Sequence, residues 1–149
     1  LDTLFWLVAL ATLPFGVFGN YCYGQEATRE SLATTPGRYQ AIFEDVEVGI
    51  STGDVSLLAK HFAPQVGINL REEESGTFSA KQTYYLLQNF FKLRRFGRFA
   101  FSTIGESDTG PYATGSVEFT RKGTRGLVQV YLALTLVGER YVITQLTIY

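Results

Sequence analysis

The chain of 149 residues carries 13 basic and 14 acidic side chains, one histidine and one cysteine, for a formal net charge of −1. A chain of this length buries about 68% of its unfolded surface, so no metal or disulfide is needed to hold a core. An apolar share of 46%, with twelve Phe and nine Tyr, excludes a disordered chain. The even charge balance removes the general attraction for phosphate backbones that nucleic-acid binders draw from clustered Lys and Arg, so nucleic acid is not an expected partner.

The first feature along the chain is LDTLFWLVALATLPFGVFGNYCYGQ, whose apolar stretch runs from Leu4 to Phe18 with Pro14 inside it. That is short of the roughly 20 residues of a comfortable membrane span and has the length of a signal-peptide hydrophobic region. The usual positive leader is missing, as is any Met, so residues 1–24 are expected to be a signal peptide trimmed at its N-terminus. Small residues Cys22 and Gly24 stand at the −3 and −1 places of a cleavage before Gln25. The alternative is an uncleaved anchor, with membrane contact through residues 4–18 alone; the GNYC stretch matches a lipobox poorly. Each alternative puts the domain outside the cytoplasm, in the periplasm or cell envelope.

Residues 25–35, QEATRESLATT, form a polar tether, and residues 36–149 form the folded domain. Thr35 and Pro36 have the order of an N-cap and a first helical proline, and Tyr39, Ile42, Phe43, Val46 and Ile50 recur at helical spacing, which predicts a helix over 36–52. Gly53 stops it, and Asp54 caps a short helix over 55–62 that ends at Ala63-Pro64. Leu57, Leu58, His61 and Phe62 then share one side of that helix. QVGINL (65–70) and GTFS (76–79) flank the acidic REEES as a hairpin, and SAKQ (79–82) is a capping box opening a third helix with Ala80, Tyr84, Leu87, Phe90 and Phe91 on one face, stopped by Gly97. From there the period changes to two, predicting strands over 98–106, 111–121, 126–137 and 140–149. The class is α+β: three N-terminal helices packed against a mostly antiparallel meander.

This order of elements, together with STGDVSLLAKHFAPQV, resembles the nuclear-transport-factor-2-like (cystatin-like) superfamily, in which a curved sheet forms a cone around its helices. Within it, the GD before LLAKHF, the helix opened by SAKQ and the closing RYVITQLTIY resemble an uncharacterised family of secreted bacterial proteins, DUF4783. The resemblance covers residues 36–149 and implies the cone fold. It carries no activity with it, because the superfamily divides between enzymes such as steroid isomerases and dehydratases and non-catalytic binding or dimerisation modules.

Chemistry inside such a cone needs polar groups on the concave face of the sheet. On the strand from 126, Val128, Val130, Leu132, Leu134 and Leu136 alternate with polar neighbours, and on the last strand Val142, Thr144, Leu146 and Ile148 do the same. These aliphatic rows are assigned to the dry side, which then holds no carboxylate. Phe43, Leu58, Phe62, Leu87, Phe91, Val130, Leu132, Leu134 and Leu146 are the expected lining of an apolar pocket or a packed core. Tyr131, Tyr141 and Tyr149 fall on the other side, as a solvent-facing surface or a homodimer surface.

The catalytic candidates are His61, Asp45, Tyr39 and Tyr84. His61 is expected to end its helix by hydrogen-bonding free carbonyls, with a general base as the alternative, and Asp45, about 120° from the middle of the apolar face, lies at the rim or in water. Glu72, Glu73 and Glu74 are expected to be a solvated turn, since consecutive carboxylates on a hairpin point in alternate directions. Lys92, Arg94, Arg95 and Arg98 complement a helix C-terminus without needing a partner, although anionic lipid or a carboxylated ligand would suit them. One His gives no zinc set, and GTRG lies between strands rather than opening a helix, so neither a metal nor a nucleotide cofactor is expected.

The expected function is an exported, non-catalytic module that binds an apolar small molecule or a protein partner. One rival is an isomerase or dehydratase using His61 or Asp45 beside Tyr39 or Tyr84; another is a structural envelope protein with a filled cone.

Overall fold

The structure is a computed structural model and describes residues 37–149. The expected export segment, the expected tether and the Thr35-Pro36 helix start lie outside the described residues. Helix α1 (Gly37–Thr52) buries Ile42, Phe43, Val46 and Ile50 as one stripe, and Gly53 ends it with φ +75°, a conformation that costs glycine little. Asp54 accepts from the Ser56 amide at 3.0 Å and starts α2 (Ser56–Ala59). That helix is a single turn rather than the expected 55–62, because strand β1 (Phe62–Leu70) takes over at Phe62. Pro64 is tolerated inside β1 because the pairing there is irregular: Phe62 opposes Ile143 in the neighbouring strand and the next matched pair is Gly67 with Gln145.

The hairpin closes with β2 (Ser75–Ser79), and Ser79 and Gln82 form the expected capping box of α3 (Ala80–Lys92). This helix ends five residues before Gly97, since Arg95–Phe96 is already a strand, β3, and the Gly97 amide donates to Glu118 O at 2.8 Å. Among the described residues α1 and α2 precede the β1–β2 hairpin and α3 follows it, the expected order, so the three helices do not form one continuous N-terminal block.

The strand expected over 98–106 shrinks to β4 (Thr103–Ser107). Residues 99–101 instead bond to α1: the Phe99 amide donates to Ser51 Oγ and the Phe101 amide to Glu47 Oε1, both at 2.8 Å. They cross over Gly115 so closely that a Cβ there would stand 2.7 Å from Ala100 O and 2.8 Å from the Phe99 ring. No periodicity could reveal this, because side chains of a helix, not a strand, satisfy the amides.

Three long strands finish the chain: β5 (Gly110–Arg121), β6 (Thr124–Val137) and β7 (Arg140–Ile148). The sheet runs β2-β1-β7-β6-β5-β3 with β4 also on β5, and β1–β7 is its one parallel pairing. It is a curved mixed sheet with few helices, an α+β fold. Val128, Val130, Leu132 and Leu134 are buried as the alternation requires, whereas Leu136 is exposed near the hairpin tip.

On β7 the alternation misleads. The register slips between Ala133 and Leu134, so that Ala133 opposes Gln145 while Leu134 opposes Ile143. Tyr141 and Ile143 therefore join Leu146 and Ile148 in the core, and Val142 and Thr144 turn away. This corrects the face given to Val142 and Thr144 and removes Tyr141 from the outer surface, where Tyr131 stacks on Tyr112 and Tyr149 is exposed.

The concavity is filled. Phe43, Leu58, Leu87, Phe91, Val130, Leu132, Leu134 and Leu146 all lie in the buried cluster, with Phe62 half-buried against it. Each large side chain there contributes about 1.5–3 kcal/mol by leaving water, far more than any surface ion pair. The clamp at Gly115 gives a direct check. Gly115→Ala should cost about 1–3 kcal/mol, because the neighbour that must move is backbone; a urea midpoint equal to that of the parent would show that residues 99–101 yield freely.

Candidate functional site

Strand β6 is fourteen residues long, and a charged depression lies at each of its ends. At the β6–β7 end, the His61 amide donates to Leu58 O at 3.0 Å and His61 O accepts from the Ile143 amide at 2.7 Å. The residue is thus fixed by its backbone on both sides. Its ring Nε2 lies 2.7 Å from Asp45 Oδ2, and Lys60 Nζ reaches the same oxygen at 2.9 Å. His61 stands in the turn after α2 with its ring on Asp45 rather than on helix carbonyls, and Asp45, with its side chain 29% exposed, lies at the rim, one of its two expected places.

The ring is 18% exposed and borders an open depression of about 400 Å³ together with Arg38, Glu139, Arg140 and Tyr141. The hydrogen bond from His61, and then the one from Lys60, hold the Asp45 carboxyl below its ordinary 3.8. A carboxylate that orients an imidazole is the arrangement of a general base. Here Lys60 competes for the same oxygen and the walls are open to water, which weakens both effects.

Neither candidate tyrosine joins this pair by a hydrogen bond among the described residues. Tyr39 donates to Glu106 Oε1 at 3.4 Å, and burial followed by the Glu106 charge raises its phenol above 10.0. Tyr84 accepts from Gln88 Nε2 at 3.5 Å.

At the β5–β6 end the arrangement differs. Arg94, just past α3, has a side chain only 4% exposed; its Nη1 donates to Glu73 Oε1 at 2.8 Å and to Phe90 O at 3.4 Å. The guanidinium lies 4.0 Å from the Phe90 ring centre. Among the cations of KLRRFGR, Arg94 thus departs from the expectation of charges without partners, and Glu73, though exposed, is the carboxylate that pairs with it. The cause is tertiary: the β1–β2 turn, with Glu72 at φ +62°, brings Glu73 over the end of α3.

Arg94 borders a cleft of about 550 Å³ whose other cations are Arg71, Arg121, Lys122 and Arg125. Its apolar floor is Phe90, Phe119 and Val128, with Leu127 at its edge. Phe119 opposes Gly126 across the β5–β6 ladder, and a Cβ at Gly126 would stand 2.6 Å from its ring. The glycine lets the ring lie flat, which keeps the floor low. Arg121 and Phe119 escaped notice in the sequence and Arg125 entered only within GTRG; the signal was RKGTR, three cations in a turn of five residues. Among the described residues no group of three or more His, Cys, Asp or Glu is placed to hold a metal.

A curved sheet with two helices packed into its hollow defines the nuclear-transport-factor-2-like, or cystatin-like, class, and solved structures of that class match it. A protein of unknown function with a cystatin-like fold from Nostoc punctiforme is 10% identical over 78% of this chain and 90% of its own, with a TM-score of 0.55. A nuclear-transport-factor-2-like protein of unknown function from Shewanella oneidensis is 14% identical, covering 72% and 92%, at 0.52. Residues 43–149 match the family described as Domain of unknown function (DUF4783), and the chain belongs to it. A DUF4783 protein from Bacteroides uniformis is 20% identical, covers 70% of this chain and 93% of its own, and has a TM-score of 0.58. No curated protein matches the sequence. At these identities the structural likeness is one of fold.

The Asp45 geometry predicts a pH effect. Its carboxyl is lowered in the folded chain, so its stabilisation is complete above pH 3.8 and is lost as pH falls through the depressed value. Asp45→Asn should therefore cost about 1 kcal/mol or less at pH 7 and progressively less below pH 4. Urea unfolding of both proteins across that range checks it; a gap that widens on acidification would contradict the assignment.

Proposed function

We propose that the chain is an exported, non-catalytic module that binds a small molecule in the cleft at the β5–β6 end of the cone. The observation that carries this reading is a cleft of about 550 Å³ with an apolar floor, set against an interior that among the described residues is a cluster of buried apolar side chains. The buried polar residues among those described are Thr83 and Arg94, and neither is a proton carrier near neutral pH. Acid–base catalysis in the hollow of the cone therefore lacks its groups, whereas binding needs only shape, an apolar surface and a few polar contacts. Export is supported by the apolar stretch Leu4–Phe18.

A second reading, an isomerase or dehydratase type of enzyme, is favoured by the 2.7 Å contact between His61 and Asp45. It uses the opposite end of β6 and so predicts different variants. A compound that the chain converts, and that His61→Gln leaves unconverted while folding normally, would favour it.

The test of the binding reading is the native mass of the protein purified from the envelope fraction of its own cells, compared with its denatured mass. Extra mass released on denaturation is expected, and a doubled mass would report a homodimer. A chain that carries nothing, from cells lysed without detergent, would overturn the binding reading in favour of a purely structural role.

A further inference from the structure

The charge at the cleft is more than its own carboxylates balance. Five cations border it, and Glu72 and Glu73 are the carboxylates that reach them within 4.0 Å among the described residues. Glu72 is shared between Arg71 and Arg121 at 3.9 Å each, a distance too long for a direct hydrogen bond. Arg94 is different in kind. It is the buried cation of the described residues, and both of its hydrogen bonds there run from Nη1. A guanidinium has five N–H donors in a planar fork, so the Glu73 contact leaves the group able to serve a second acceptor. Burying a cation is costly unless it is paired and its donors are used.

The backbone that carries three of the remaining cations is fixed by a tight turn. Arg121, Lys122, Gly123 and Thr124 form a two-residue hairpin turn with φ +48° at Lys122 and +78° at Gly123, and Arg121 opposes Thr124. Arg121 continues the inward row of Val117 and Phe119 on β5, so it points to the same side of the sheet as the apolar floor. The tight turn thus brings Arg121 to the rim above Phe119, which lies against Gly126, while Arg125, opposite Thr120, borders the cleft from the alternate side of the ladder.

From this juxtaposition we infer that the cleft takes an oxyanion carried on an apolar body, with the carboxylate or phosphate group between Arg94 and the RKGTR turn and the apolar part on Phe90, Phe119 and Val128. The inference rests on the proposed binding role of the cleft and adds the chemical class of ligand. A charge-assisted contact to Arg gives the anion its advantage over a neutral head, and the apolar floor gives the body its advantage over a bare ion.

The experiment is calorimetric titration of the full chain with octanoate, octyl phosphate, octanol, acetate and inorganic phosphate. One or both of the tailed anions should bind about tenfold to hundredfold more tightly than octanol, while acetate and inorganic phosphate bind far more weakly. The order of octanoate and octyl phosphate then says which oxyanion the site prefers. The double variant Arg121→Gln and Arg125→Gln leaves Arg94 and Glu73 intact, and should lose about tenfold in affinity for the tailed anions with no change in octanol binding. Octanol binding as tightly as the anions would overturn the inference and leave the binding role standing. Failure of every tailed probe would remove both. Tight anion binding that the double variant does not weaken would place the anion elsewhere and overturn the inference.

Discussion

The slip of register in β7 is the constraint on which the rest of the structure depends. Between Ala133 and Leu134 the ladder advances unevenly, and Tyr141 and Ile143 turn to the same side as Leu146 and Ile148. Without it the inner face of the strand would carry Val142 and Thr144, and the N-terminal half of α1 would lose the edge-on contact of Tyr39 with Tyr141 at 5.5 Å. The same place receives the end of α2, because the Ile143 amide donates to His61 O. One local irregularity therefore completes the core, curves the sheet and fixes the backbone of the only histidine.

Filling the hollow has a functional consequence. Aromatic and aliphatic side chains from α1, α3 and four strands fill it, and among the described residues none of the buried groups titrates near neutral pH, so the polar groups gather at its ends. The two ends differ physically. At His61 the charges are close to balanced and largely open to water, where an ion pair contributes little. At Arg94 a guanidinium is buried against an aromatic ring and beside more exposed cations, so its own charge is less screened than those at the other end.

The crossing of residues 99–101 over Gly115 shows how the helix and sheet layers are joined. Glu47 and Ser51 of α1 accept amides that a strand partner would otherwise take, so a segment of strand-like sequence stays out of the sheet. The interruption also separates β3 from β4 along β5, which leaves β3 beside the α3 terminus from which Arg94 emerges.

The sequence by itself determined the elements whose pattern is local. The stripe of Ile42, Phe43, Val46 and Ile50, the capping box of Ser79 and Gln82, and the alternation from Val128 to Leu134 each follow from a fixed period or a short-range hydrogen bond. The cone class was legible for the same reason, because it is carried by the order of such elements. The tertiary structure alone decided where the alternation breaks, as at Thr144 and Gln145, since a bulge depends on the partner strand. It also decided which charges are buried. Arg94 and Glu73 lie 21 residues apart and His61 and Asp45 16 apart, and nothing local distinguishes them from their solvated neighbours. Burial and pairing are properties of the assembled fold, so a charge at a candidate site acquires its meaning only when distant segments close around it.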